Sequence, residues 1–178
     1  MVTRVIIINM KAPACGHSFA ATEHAIDTIA RRLPGSPREE VVLTRLLLHI
    51  QPLLLGYFNQ SLAVHDMNET TWMALMVLYA HPEEKLMPSE LSDALAFSRT
   101  NATRVVDDLV TRGLIRRQPC GVDRRRTYLE LTDSGLAFIE RVMPGQRQQV
   151  RELWAVFDNE ERAQLEALLR KLMQQLGG

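Results

Sequence analysis

The sequence predicts a mainly α-helical fold carrying one small β-hairpin. Three observations point to it. Apolar residues recur at helical spacing along most of the chain. The period falls to two in one place only, across "LIRRQP" and "RTYLEL" (residues 114–119 and 126–131). The long apolar helical patterns stand on either side of this centre, which is rich in arginine.

The elements follow in order. Residues 17–33 form a short, weakly amphipathic helix ended by "PGSP", a loop signal. From Arg38 to about Val64 runs a long apolar helix with Leu43, Leu46, Leu47, Ile50, Leu53, Leu54, Tyr57 and Phe58. Pro52 inside it predicts a kink or local break. Its apolar surface is too wide for one groove and should be buried on more than one side. Asn68 caps the next helix, "ETTWMALMVLYAH", with Glu69 in its first turn. Pro88 suits the first position of the short helix "PSELSDAL". "AFS" is a tight connection. Ser98 caps a helix through Arg112, and Gly113 takes the position just past its end. After the hairpin, Thr132 caps a helix to about Met143, which Pro144-Gly145 should interrupt, and a continuation carries Val150, Leu153, Trp154 and Phe157. In "DNEE" a capping box opens the last helix, with Asp158 first and Glu161 three residues on.

Length, at 178 residues, suits one domain with extensions. Basic and acidic residues balance at 21 each, but they are segregated. Residues 98–126 hold eight arginines and three acids, a net +5, which leaves −5 for the rest. A basic block within an acidic body is an electrostatic footprint for nucleic acid, although a solvated arginine-rich face would have the same composition. No purely apolar run approaches the roughly 20 residues that span a bilayer. The first residues make a poor signal peptide, so a cytoplasmic protein is expected. Met10 offers an alternative start, which would make the first nine residues an extension. Cys15 and Cys120 form neither a framework nor a CxxC pair.

Two helices joined by a short turn and followed by a hairpin fit a winged helix-turn-helix. At 100° per residue, Ala102, Val105, Val106, Leu109 and Val110 share one side of the Ser98 helix, while Thr100, Arg104, Asp107, Asp108 and Thr111 face away. The first turn, "SRTN", is wholly polar. An arginine there can fork onto guanine, and Asn101 can pair with adenine or hold a phosphate. An amphipathic helix with a solvated face is the plainer explanation, but it leaves the adjoining basic hairpin unexplained.

The segment "SELSDALAFSRTNATRVVDDLVTRGLIRRQPCGVDRRRTYLELTDSG" resembles the DNA-binding core of the MarR family of bacterial transcriptional regulators. It is most similar to the multidrug-efflux repressor branch, of EmrR (MprA) type. That branch's motifs have counterparts in "VLTRLLLHIQ", "NETTWMAL", "SRTNATR", "DRRR" and "MPGQ…LW". The resemblance covers about residues 38–176. The family's wing pattern, Asp-x-Arg before Leu-x-Leu-Thr, falls on Asp123, Arg125, Leu129, Leu131 and Thr132.

The resemblance implies a homodimer whose N- and C-terminal helices interlock, bound to a pseudo-palindromic operator. Residues 1–37 would be an extension, 38–66 and 144–178 dimerisation helices, and 67–143 the winged helix-turn-helix. DNA contacts would come from Ser98, Arg99, Thr100, Asn101, Thr103, Arg104 and Arg124. Arg125 would enter a minor groove, with Asp123 aiming it. A small aromatic, phenolic or drug-like effector would release the DNA from a cleft lined by Arg45, His49, Trp72, Met73 and Met76. Repression, with control of multidrug efflux, is the expected outcome. No cofactor or metal is implied.

Other classes fare worse. The chain has no GxSxG, HExxH, P-loop or GxGxxG, so an enzyme is not expected. His65, Asp66 and Glu69 sketch a weak metal site without a second clear histidine. Thiol sensing by Cys15 or Cys120 is an alternative on the same fold. Docking of a protein partner on the basic face is the remaining alternative.

Overall fold

The computed structural model describes residues 18–81, 86–96, 98–119 and 126–177. The elements are α1 (Ala20–Arg32), α2 (Arg38–Ala63), α3 (Glu69–Ala80), α4 (Pro88–Ala94), α5 (Arg99–Thr111), β1 (Ile115–Pro119), β2 (Thr127–Leu131), α6 (Asp133–Trp154) and α7 (Asn159–Gln175). The chain divides into two units, Met1–Leu54 and Leu55–Gly178, with the boundary inside α2.

In the first unit, Glu23 in the first turn of α1 and Arg31 and Arg32 in the last complement the helix dipole. The turn after α1 needs a left-handed residue, which Gly35 supplies with φ +90°. Arg38 at the start of α2 then reaches back to Asp27 at 2.7 Å. Helix α2 leaves Leu43, Leu47, Leu48, Ile50 and Leu53 exposed. The expected burial on more than one side is therefore not achieved within a single chain. By length and composition α2 could also cross a bilayer, more than its short apolar runs suggested. It carries Arg45 and His49 midway, however. Pro52 does not break it. A proline forfeits one backbone hydrogen bond, and the long flanks on both sides keep the remaining ladder.

In the second unit, α3 sits at the centre, with Thr71, Trp72, Ala74, Leu75 and Leu78 buried. Around it Leu62, Leu91, Val106, Leu109, Ile115, Leu129 and Ile139 are almost fully buried. At about 1.5–3 kcal/mol for each large side chain removed from water, this cluster outweighs every surface ion pair described below. The expected caps are present. Asn68 accepts from the Thr71 amide, Thr132 from Gly135, and Asp158 from Glu161 in a capping box.

The hairpin is antiparallel, with Ile115 opposite Leu131 and Arg117 opposite Leu129. The Leu129 amide also donates to the Leu86 carbonyl at 2.8 Å, a single-residue third strand on the other edge of β2. The wing is rooted tightly at Gly135, where a Cβ would lie 2.1 Å from the Leu114 carbonyl oxygen.

Helix α6 corrects one expectation. It runs through Pro144-Gly145 without interruption. Ile139, Val142, Gln146 and Gln149 continue one buried face across the proline at helical spacing. Gln149 donates to the Tyr57 carbonyl at 2.7 Å, and Gln146 to the Ser61 hydroxyl at 2.9 Å. Ser61 in turn hydrogen-bonds Gln149. These bonds anchor α6 to the end of α2 just beyond the proline, and so offset the ladder bond it lacks.

Candidate nucleic-acid interface

The α4–α5 pair and the wing follow from local chemistry. Pro88 opens α4, and Glu90 reaches back to the Met87 amide at 2.7 Å. The Ser98 hydroxyl accepts from the Asn101 amide at 3.2 Å and starts α5. Gly113, with φ +69°, turns the chain out of α5 and into β1.

Helix α5 shows the two faces its sequence predicts. Ala102, Val105, Val106 and Leu109 are buried, while Arg99, Thr100, Thr103, Arg104, Asp107 and Asp108 are exposed. Its first turn contains no acid. The positive end of the helix dipole and Arg99 therefore act together on any approaching anion. Arg104 donates to Asn101 Oδ1 at 3.3 Å, a weak tether that a DNA phosphate or base can displace. Thr103 spends its hydroxyl hydrogen on the Arg99 carbonyl at 2.9 Å.

The basic block is smaller in space than in sequence. Arg116 pairs with Glu130, its cross-strand neighbour, at 2.9 Å. Arg117 pairs with Asp107 at 2.5 Å. Arg112 turns inward, toward the connection between α2 and α3. Arg99 and Arg104 remain as exposed cations on α5 without an ion pair among the described residues. Asp123, Arg124, Arg125 and both cysteines lie outside the described residues.

The expected effector residues fall in both units. Arg45 and His49 lie in the first unit, Arg45 exposed and His49 edge-on to Phe19 at 5.7 Å. In the second unit, Trp72 and Met73 line a groove of about 410 Å³ together with Phe58, Glu69, Met143 and Val150. Gln146, Arg147 and Arg151 complete it. Met76 packs against the core instead. The residues of α6 were missed because the assumed break at Pro144 hid their common face. Of the sketched metal group, His65 meets the Phe138 ring and Glu69 faces the groove. Among the described residues no His, Cys, Asp and Glu cluster suits a metal.

Burial raises the Glu69 carboxyl above its ordinary pKa. The folded protein then holds this proton to higher pH than the unfolded chain does. The resulting stability is present at low pH and lost as pH rises through the folded value. Glu69→Gln is accordingly expected to raise the melting temperature at neutral pH by about 1–2 °C. The gain should vanish at about pH 3, below the unfolded value, where wild-type Glu69 is protonated in both states. A pH series of thermal melts checks this, and a gain that persists at acid pH would assign the effect to something other than the charge.

A helix-turn-helix with a polar, positively charged first turn on its second helix, followed by a wing, defines a DNA-binding transcriptional regulator. A model of the MarR family matches residues 65–126. The chain is 41% identical to the transcriptional repressor MprA of Escherichia coli K12, over 89% of this chain and 90% of MprA. Among solved structures it is similar to an E. coli MarR mutant complexed with operator DNA, at 27% identity and a TM-score of 0.68, covering 75% of this chain and 95% of that one. Another is the MarR family regulator Sco3205 of Streptomyces coelicolor in complex with DNA, at 25% identity and a TM-score of 0.72, covering 79% and 89%. The chain belongs to the MarR family, whose members are regulators and not enzymes.

Proposed function

We propose that the protein is a cytoplasmic repressor that binds a pseudo-palindromic operator as a homodimer and lets go when a small aromatic or drug-like effector binds. The observation that carries this is the acid-free start of α5 beside the wing, where Ser98, Arg99, Thr100, Thr103 and Arg104 are exposed. In each subunit α5 enters a major groove, with half-sites about one helical turn apart. Ser98, Arg99, Thr100, Asn101, Thr103 and Arg104 make the contacts. Arg124 holds a phosphate, and Arg125, aimed by Asp123, enters the adjoining minor groove.

Segments 38–66 and 144–178 form the dimer, and 67–143 reads the DNA. Support comes from the leucines that α2 and α7 leave exposed, which a second copy would cover. Likeness to a named repressor supports repression, and efflux genes as targets are what the resemblance of "SRTNATR" and "DRRR" to the multidrug-efflux branch implies. The Trp72–Met73 groove offers the aromatic and thioether walls an adaptable effector site needs. An effector releases DNA only by preferring the spacing of the two lobes that does not fit the operator.

Genome-wide footprinting of bound DNA, repeated with candidate efflux-pump substrates, tests the reading. Bound sites should be two-fold symmetric and should empty when an effector is added. Arg125→Ala is expected to weaken operator binding by about tenfold or more while leaving the dimer intact. Unchanged binding by that variant would remove the wing from the interface.

A further inference from the structure

Arg112 looks, by sequence, like one more phosphate-binding cation. It behaves otherwise. Nη1 donates to the Asp66 carbonyl at 2.6 Å and Nη2 to the His65 carbonyl at 3.0 Å. Nη1 also lies 3.3 Å from Met67 Sδ. The Phe138 ring of α6 sits beneath the guanidinium, 5.9 Å from centroid to carbon, and the His65 ring meets the same Phe138 at 6.2 Å. The Asp108 carboxylate is farther off, at 3.8 Å. Three elements therefore converge on one side chain: the end of α5, the turn between α2 and α3, and α6.

That turn has a defined shape. Asp66 is left-handed, with φ +54°. The amides of His65, Asp66 and Met67 return to the carbonyls of Leu62 and Ala63, which closes the end of α2. The His65 and Asp66 carbonyls are left pointing outward, and one planar guanidinium takes both. Charge-assisted bonds of this kind are roughly twice as strong as neutral ones. A lysine ammonium cannot reproduce the planar fork.

We propose that Arg112 is a positioning residue that couples the α2–α3 turn to the DNA-binding helix, so that a shift at either end is transmitted to the other. The inference rests on α5 being the helix that meets DNA. Arg112 makes no DNA contact in this scheme. It sets the tilt at which α5 leaves the body of the second unit.

Three variants, Arg112→Gln, Arg112→Lys and Arg104→Gln, separate the possibilities with a random-sequence DNA duplex as the probe. Affinity is measured against salt, and amide exchange at residues 65–67 is followed with and without duplex. Arg104→Gln should lower the slope of log affinity against log salt by about one for each subunit. Both Arg112 variants should keep the wild-type slope. Duplex should slow exchange at residues 65–67 in the wild type, and both Arg112 variants should lose that slowing. A slope lowered by Arg112→Gln and restored by Arg112→Lys would make Arg112 a phosphate contact and overturn the proposal. Slowing that survives in Arg112→Gln would overturn it too, because the coupling would then run through other groups. An unchanged slope for Arg104→Gln would instead count against α5 as the DNA helix. Arg112→Lys is the milder change and keeps the measurement possible if Arg112→Gln folds poorly.

Discussion

Replacing Arg99 and Arg104 together by alanine is expected to weaken duplex binding by about 10- to 100-fold near physiological salt. The slope of log affinity against log salt should fall by about two for each subunit. Both side chains are exposed on α5, and neither belongs to the buried cluster. The fold should therefore be unaffected, with the melting temperature within about 2 °C of wild type. The effect should be large because these two cations, unlike Arg116 and Arg117, have no carboxylate partner among the described residues. An exposed ion pair is itself worth only about 0–1 kcal/mol, so Arg116 and Arg117 could still exchange partners for phosphate at small cost. Fluorescence anisotropy over a salt series reads both quantities. Unchanged affinity and slope would place the DNA on another surface.

The second large effect concerns α7. Leu168, Leu169, Leu172, Met173 and Leu176 are all exposed in one chain, at helical spacing. A row of this kind is soluble only if another surface covers it. Leu169→Glu combined with Leu172→Glu should raise the dimer dissociation constant by at least about 1000-fold, since even one unpaired buried charge costs about 4 kcal/mol. Light scattering should then find a monomer at micromolar concentration. Operator affinity should fall with it, because one α5 engages only half a site. The core around Leu75 and Leu109 is separate from α7, so helical content should persist. A variant that remains dimeric would move the interface away from this face.

Much of the fold was legible from single residues whose chemistry acts locally. Asn68, Ser98, Thr132 and Asp158 each cap the helix they were expected to cap, because a cap needs only a side-chain oxygen and an amide three residues on. The buried stripe of α5 was legible for the same reason, since helical geometry fixes it. What depended on distant partners was not. Pro144-Gly145 read as a stop because nothing local reveals Ser61 and Tyr57 waiting for Gln146 and Gln149. The net charge of residues 98–126 overstated the basic surface, because Glu130 lies outside that block in sequence and beside Arg116 in space, and the count could not show that Asp107 pairs with Arg117. The same limit hid the groove, whose walls come from separate helices.

The unbroken course of α6 has a mechanical consequence. Its 22 residues, Asp133–Trp154, make a rod about 33 Å long, with the root of the wing at Gly135 near one end. A tilt of about 5° pivoting at one end moves the other by about 3 Å. Pro144 has no amide hydrogen to give its preceding turn, and Met143 and Arg147 on either side of it both face the groove. A molecule of modest size lodged there would press on the middle of a lever, and the wing stands at one of the lever's ends.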